Sequence, residues 1–198
     1  VYILFEGIDT CGKSTQIEIL KAKYPNIITT KEPGGTPFGI KAREILLSDR
    51  LESNRAELLL FLADRAEHYE HIIKPNIDKL IVSDRGFISG MAYALANEQF
   101  DIDTLAELNR FALQGRLPDK VILFVTDMMT LKQRSSGKEL DGIELRGLEY
   151  LLRVQEQMRI VVEYMGIEHI IIDARGDIEQ ISSKIEESVY QAYDANIV

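Results

Sequence analysis

Residues 4 to 15 read LFEGIDTCGKST, and no other stretch narrows what this chain can fold into so far. Gly7 to Ser14 satisfies G-x-x-x-x-G-K-[ST], directly after an apolar run suited to a strand and before an amphipathic run suited to a helix. Chance places that pattern in under about 1% of chains this long. Its two glycines let the backbone curl until successive amides face one anion, and the positive end of the following helix adds to the attraction. Lys13 is spaced to reach the outer phosphates of a nucleoside triphosphate, and the Ser14 hydroxyl to ligate Mg²⁺. The expected triphosphate-binding residues are therefore Gly7, Ile8, Asp9, Thr10, Cys11, Gly12, Lys13, Ser14 and Thr15. Cys11 reads as a small side chain filling the loop. Asp9 is awkward beside an anion. Either it points to solvent or it positions something cationic or hydroxylic on the side of the acceptor.

Short apolar runs alternate with longer helical patterns along the rest of the chain. Strands are predicted at Val1–Glu6, Ile27–Lys31, Leu80–Ser83, Lys120–Val125 and His169–Asp173. Helices are predicted over Gln16–Lys23, Gly39–Leu47, Arg55–Lys74, Leu105–Gln114 and Gly147–Met165. This alternation, with nearly continuous apolar strands, implies an α/β fold: a five-stranded parallel sheet flanked by helices on both faces. Ligands of such sheets sit beyond the carboxyl ends of the strands, where Glu6-Gly7, Glu32-Pro33 and Asp84-Arg85 fall. The polar segment SSGKELDGIE, residues 135–144, reads as a solvated loop or as a lid that closes over a ligand.

At 198 residues the chain suits one domain, with the phosphate loop at 7–14 and the lid at about 134–147. A single cysteine excludes an internal disulfide or a multi-cysteine metal site and fits a reducing compartment. No apolar run approaches the ~20 residues of a membrane span, and no basic segment precedes the first apolar run as in a signal peptide. A formal charge of −9 argues against nucleic-acid binding. The expectation is a soluble cytoplasmic protein. No N-K-x-D guanine element accompanies the loop, which disfavours a GTP switch and leaves a small-metabolite kinase as the reading.

Three further stretches, KEPGGTPFGIKAREILLS, LLLFLADRAEH and SDRGFISGMAYA, follow in order. With the phosphate loop they resemble the thymidylate kinase family of P-loop nucleoside monophosphate kinases, whose patterns run close to T-R-E-P-G-G-T…R, L-F-x-A-x-R and D-R-Y-x-x-S-x-x-A-Y. The resemblance spans essentially the whole chain. It implies a P-loop NTPase fold, transfer of the ATP γ-phosphoryl group to dTMP in dTTP biosynthesis, Mg²⁺ as cofactor and a homodimer. It also implies that Arg43 and Arg85 grip the acceptor phosphate and that Phe61 stacks on thymine. Arg65 would bond the thymine 4-carbonyl, Asp9 would approach the 3′-hydroxyl, and Tyr93 would occupy the space of a ribose 2′-hydroxyl. Glu32, Pro33 and Ser89 complete the expected acceptor set. Independently of family, Phe61 and Arg65 are four apart on a predicted helix and share one face, an aromatic plate beside a guanidinium.

The sequence also departs from the family pattern. Lys31 replaces Arg before E-P-G-G-T, Gly86 stands where Tyr is frequent, and Gly90 and Ala94 stand where many members carry polar residues near the base. Thr10 occupies the position of a phosphate-loop Arg found in one branch. The lid D-R-x-E of the other branch is D-G-I-E here, residues 141–144. The expected catalytic set is Lys13, Asp9 and Arg85 with a lid cation from among Arg134, Lys138 and Arg146. Two rival readings remain: a deoxynucleoside kinase with Glu32 as general base, and a non-catalytic ATP-binding regulator.

Overall fold

In the computed structural model of the chain, residues 1–48, 51–97, 100–135 and 147–194 are described. Strands β1 (Tyr2–Glu6), β2 (Ile28–Lys31), β3 (Ile81–Asp84), β4 (Lys120–Val125) and β5 (His169–Asp173) form one sheet in the order β2-β3-β1-β4-β5. Every pairing is parallel, with Phe5 opposite Asp84 on one side and opposite Ile122 on the other. All five predicted strands are present, within one residue at each end. Because β1 lies between β3 and β4, the loop leaving its carboxyl end sits where the strand order reverses, the usual ligand position of an open α/β sheet.

Alternation along each strand feeds two cores. Tyr2, Leu4, Ile81, Val121 and Leu123 point to one face, where they pack with Leu58, Met91, Leu105 and Met158. Ile3, Phe5, Val82, Ile122 and Phe124 point to the other, against Ile17, Leu20, Ile181 and Ile185. The first face is covered by α3 (Asn54–His68), α4 (Phe87–Ala96), α5 (Ile102–Ala112) and α7 (Leu148–Met165). The second is covered by α1 (Lys13–Lys23) and α8 (Ile178–Asp194). Helices α2 (Pro37–Leu47) and α6 (Met128–Ser135) complete the eight found among the described residues. None of them is long and apolar enough to cross a membrane.

Local chemistry sets the helix ends. The Thr36 hydroxyl accepts from Gly39 N at 2.9 Å and Pro37 opens α2, while Ser53 and Asp101 cap α3 and α5 in the same way. Gly166 ends α7 in the left-handed conformation, at φ 65°. The run predicted as one helix over Arg55–Lys74 is α3, continued by a wider turn at Tyr69–Ile73 and a tighter one at Lys74–Asn76.

Helix α7 carries the clearest stripe, with Leu151, Val154, Met158, Val161 and Met165 buried at helical spacing. Truncating fully buried Met158 to Ala should cost about 2–5 kcal/mol. Ile160→Ala on the exposed side should stay within about 0.5 kcal/mol. Urea unfolding of both variants measures this; equal losses would contradict the assigned orientation of α7.

Candidate active site

The turn after β1 depends on its glycines. Gly7 has φ 145°, and a Cβ there would lie 2.7 Å from the Phe124 carbonyl oxygen and 2.9 Å from Cys11 Sγ. Gly12, at φ 92°, precedes α1, whose first turn carries no acidic residue and no side-chain cap. The helix therefore presents bare backbone N–H groups and its positive end to the loop. Lys13 is buried and donates to the carbonyls of Gly7 at 2.9 Å and Ile8 at 3.1 Å, with Cys11 Sγ 3.6 Å away. Cys11 packs among Phe5 and Phe124 of the core. The Ser14 hydroxyl donates to Asp84 at 3.1 Å.

At the end of β3, Arg85 adopts φ 68°, a left-handed conformation costly for a side chain of this size. Its N–H donates to the Phe5 carbonyl at 2.9 Å, and the buried Ser83 hydroxyl donates to its carbonyl at 2.7 Å, which holds the turn. The guanidinium then donates to Gly7 O at 2.8 Å, Ser89 Oγ at 3.1 Å and Asp9 at 2.8 Å. Asp9 thus meets a cation, the second of the two alternatives its position allows. Beneath them Glu6 is fully buried and accepts from both the N–H and the hydroxyl of Ser89. Burial pushes its carboxyl upward against the opposing pull of Ser89 and Arg85.

A second cluster lies at the end of β2. Glu32 is buried, accepting from Arg65 Nε at 2.9 Å, with its other oxygen 2.8 Å from His68 Nδ1. Burial alone would raise the Glu32 carboxyl, but Arg65 and His68 more than offset it and hold the group below the usual range. His68 Nε2 lies 2.7 Å from the Thr30 hydroxyl. Arg65 also donates to Asn109 Oδ1 at 2.7 Å.

One cavity is lined by all nine residues expected around an acceptor: Asp9, Glu32, Pro33, Arg43, Phe61, Arg65, Arg85, Ser89 and Tyr93. Gly86 and Gly90, both noted as departures from the family pattern, and Leu47, not anticipated, complete its wall. Phe61 and Arg65 meet there one turn apart on α3, and Arg43 reaches it from α2 while donating to Pro33 O at 3.2 Å. A neighbouring cavity shares Asp9, Glu32, Arg43 and Arg85 with the first and adds Thr10, Gly12, Lys13, Ser14, Thr15, Lys31 and Asp84. A third shares Thr10, Gly12 and Thr15 with the second and continues past Arg134 to Ala174, Gly176 and Ile178. The three form one trough across the carboxyl ends of the strands.

Arg134 lies in the third cavity. Its guanidinium donates to Thr10 O at 3.2 Å and Ala174 O at 2.8 Å, away from the cavity shared by Lys13, Arg43 and Arg85. Arg134, one of the three candidate lid cations, is thus set against the phosphate loop at Thr10 and is absent from the lining of the cavity around Lys13. Lys138, Arg146 and the D-G-I-E stretch lie outside the described residues. Glu32, the general base of the rival reading, has each of its oxygens committed to a cation or an imidazole. Asp84 was missed as a partner of Ser14, although it ends a strand beside Arg85. The turn from β5 to α8, around Ala174 and Gly176, was missed although the same strand-end rule points to it. His68, Asp64 and Asn109 had no sequence signal, because their partners are 30 to 44 residues away.

Two anion-binding regions, a phosphate loop and a paired-arginine cavity, placed on this fold define a P-loop phosphotransferase that handles two phosphorylated ligands. Comparison with known proteins narrows the class. The family model for thymidylate kinase matches residues 5–185. A thymidylate kinase from Sulfurovum sp. (strain NBC37-1) is 69% identical over 185 residues, covering 93% of this chain and 97% of that protein. One from Campylobacter concisus (strain 13826) is 53% identical over 192 residues, covering 96% and 98%. The crystal structure of thymidylate kinase from Ehrlichia chaffeensis superposes with a TM-score of 0.75 at 26% identity, covering 96% of this chain and 98% of that one. The chain belongs to the thymidylate kinase family.

Asp64 joins α3 to the loop before α2, accepting from Gly34 N at 3.3 Å. Its carboxyl is pushed up to about 6, first by burial and then by Glu32, against opposing pulls from the Gly34 N–H, His68 and Arg65. A folded carboxyl that binds its proton more tightly than the unfolded one, at 3.8, favours the folded state as pH falls from about 6 towards 3.8. The stability of the parent protein relative to Asp64→Asn should therefore rise between pH 6.5 and pH 4.5. Urea titrations at both pH values test this, and a constant difference would refute it.

Proposed function

We propose that the Phe61–Arg65 cavity binds dTMP and that the phosphate-loop cavity binds ATP, so that this dTMP kinase moves the γ-phosphoryl group across the boundary the two cavities share. The observation that carries this reading is the convergence of every expected acceptor residue on one cavity that opens, through Asp9, Arg43 and Arg85, onto Lys13 and Ser14. Phe61 offers a face to a pyrimidine ring, and Arg65 offers donors to a 4-carbonyl. Arg43 and Arg85 suit the 5′-phosphate because guanidinium groups bind phosphate oxygens in pairs. Asp9, held by Arg85, faces the 3′-hydroxyl, and Tyr93 leaves room for deoxyribose rather than ribose.

The acceptor phosphate is an anion at neutral pH and attacks without a general base. That agrees with an acceptor cavity whose carboxylates, Asp9 and Glu32, are paired with Arg85 and Arg65, and it disfavours the deoxynucleoside kinase, which would need Glu32 free. A buried, fully formed acceptor cavity likewise disfavours a regulator that only senses ATP. Catalysis reduces to alignment and charge neutralisation. Lys13 exchanges its loop carbonyls for β- and γ-phosphate oxygens, while Arg85 holds the attacking phosphate. Arg134, Ala174 and Ile178 receive the donor's base.

The Ser14 hydroxyl at the start of α1 and the Asp84 carboxylate at the end of β3, two hard oxygen donors 3.1 Å apart, fit Mg²⁺, which is held by one or two protein oxygens and otherwise by phosphates and water. When bound, the ion would offset the negative charge of the triphosphate. Among the described residues, no group of three or more His, Cys, Asp or Glu side chains could hold a metal by itself. The same reading includes one domain, a cytoplasmic enzyme, no nucleic-acid or membrane partner, and a homodimer. Exposed Leu59 and Phe111 are apolar side chains that a subunit contact would cover.

Steady-state ADP release with Mg·ATP should favour dTMP over dUMP, UMP, CMP and AMP, with thymidine inert. Arg65→Ala should lower kcat/KM for dTMP roughly 10- to 150-fold, the loss of a charge-assisted hydrogen bond, with KM for ATP unchanged. Turnover of thymidine but not dTMP would overturn the acceptor assignment. Equal losses towards both substrates would overturn the role of Arg65.

A further inference from the structure

Asn109 lies on α5, is 1% exposed, and is absent from the lining of the acceptor cavity. Its Nδ2 donates to the Leu105 carbonyl at 2.7 Å, and its Oδ1 accepts from Arg65 Nη1 at 2.7 Å. The amide has one workable orientation. Flipped, it would set oxygen against the Leu105 oxygen and N–H against a guanidinium N–H. The acceptor facing Arg65 is therefore fixed by the helix backbone itself.

Arg65 is held on two edges. Glu32 takes Nε from the end of β2, and Asn109 takes Nη1 from α5. On α4, Gly90 closes over the remaining edge, where a Cβ would lie 3.2 Å from Nη2 and 3.4 Å from Nη1. One anchor at Nε would let the guanidinium plane swing with the side-chain torsions. A second at Nη1 fixes both plane and direction. What remains is Nη2, whose N–H groups bond no described residue and belong to a side chain that lines the cavity.

We propose that Asn109 is the positioning residue that makes the acceptor cavity selective for a 4-carbonyl pyrimidine, by locking Arg65 so that only the Nη2 donors face the base. The inference rests on the proposed dTMP site and deepens it. A 4-carbonyl accepts from Nη2, whereas the 4-amino group of a cytosine nucleotide sets N–H against N–H and leaves both buried donors unsatisfied. Without Asn109 the guanidinium tilts towards another acceptor, and the distinction between the two bases weakens. The transferring phosphate, held by other side chains, is untouched.

The test compares Asn109→Leu, which keeps the volume and loses the acceptor, with Asn109→Asp, which keeps an acceptor on Arg65. Both are assayed with dTMP and dCMP. Asn109→Leu should raise KM for dTMP by roughly 10-fold or more and shrink the dTMP:dCMP ratio of kcat/KM by a similar factor. Its kcat and KM for ATP should stay within about twofold. Asn109→Asp should retain most of the ratio. Asn109→Ala takes the place of Leu should that variant not fold. A folded Leu or Ala variant with the parental ratio would overturn the proposal, as would an Asp variant that loses the ratio as fully as Leu. Arg65→Ala separates the two levels. If it abolishes selectivity while Asn109→Leu does not, the dTMP site stands and this inference falls. If it leaves selectivity intact, the base-side reading of the cavity falls, and this inference with it.

Discussion

One backbone oxygen joins the two halves of the site. The Gly7 carbonyl accepts from Lys13 Nζ at 2.9 Å and from Arg85 Nη1 at 2.8 Å, so the cation of the donor side and the cation of the acceptor side meet on a single atom. Its direction is set by the φ of 145° at Gly7, which the Phe124 carbonyl and the Cys11 thiol reserve for glycine. Two positive groups this close repel each other. Asp9, at 2.8 Å from Arg85, supplies compensating charge. The arrangement places a preformed cationic seam where phosphoryl charge would pass, on a chain whose net charge of −9 would otherwise oppose two anionic ligands.

The parts legible in sequence are those in which function and local geometry share a short segment. The phosphate loop combines its glycines, lysine and serine within eight residues, and Phe61 and Arg65 lie one helical turn apart, so a one-dimensional pattern carried both. Strands β1, β3 and β4 were legible because burial on both faces makes them nearly continuous apolar runs, whereas the edge strands β2 and β5 are half-exposed and were read from their β-branched residues. Helix α4 was not predicted, for the complementary reason: eight of its ten residues are buried, so it has no polar face and no amphipathic period to detect. Helix α8 is different. Ile181, Ile185, Val189 and Ala192 make an ordinary apolar stripe, and its signal was present in the sequence but unused. The contacts of Arg134 were not legible either: its position near the lid pointed towards the phosphoryl group, and the fold sets its guanidinium on the carbonyls of Thr10 and Ala174.

The second layer of the site was invisible for a geometric reason. Thr30, Glu32, Arg65, His68 and Asn109 come from β2, the loop after it, α3 and α5, and meet only once those elements pack. Burying a carboxylate and a guanidinium together gains little stability over an apolar pair of similar size, because the desolvation cost is large. Such a pair gains directional rigidity instead, provided its remaining donors and acceptors are satisfied. Here all but the Arg65 Nη2 donors are: the Glu32 oxygens meet Arg65 and His68, the second His68 nitrogen meets Thr30, and Arg65 Nη1 meets Asn109.

That closure distinguishes the acceptor cavity from the phosphate loop. The loop obtains its shape from backbone torsions, at Gly7, Thr10 and Gly12, and its backbone N–H groups suit an anion that any nucleoside triphosphate carries. Shape alone serves there because the phosphates are common to all donors. In the proposed reading the acceptor end must tell one base from another, and backbone amides at a helix terminus cannot do so. A side chain with a fixed direction can, but a long, flexible arginine obtains that direction only from partners that hold it on more than one edge. The chain therefore surrounds Arg65 with a buried carboxylate, a buried amide and a glycine, each from a different element of the fold.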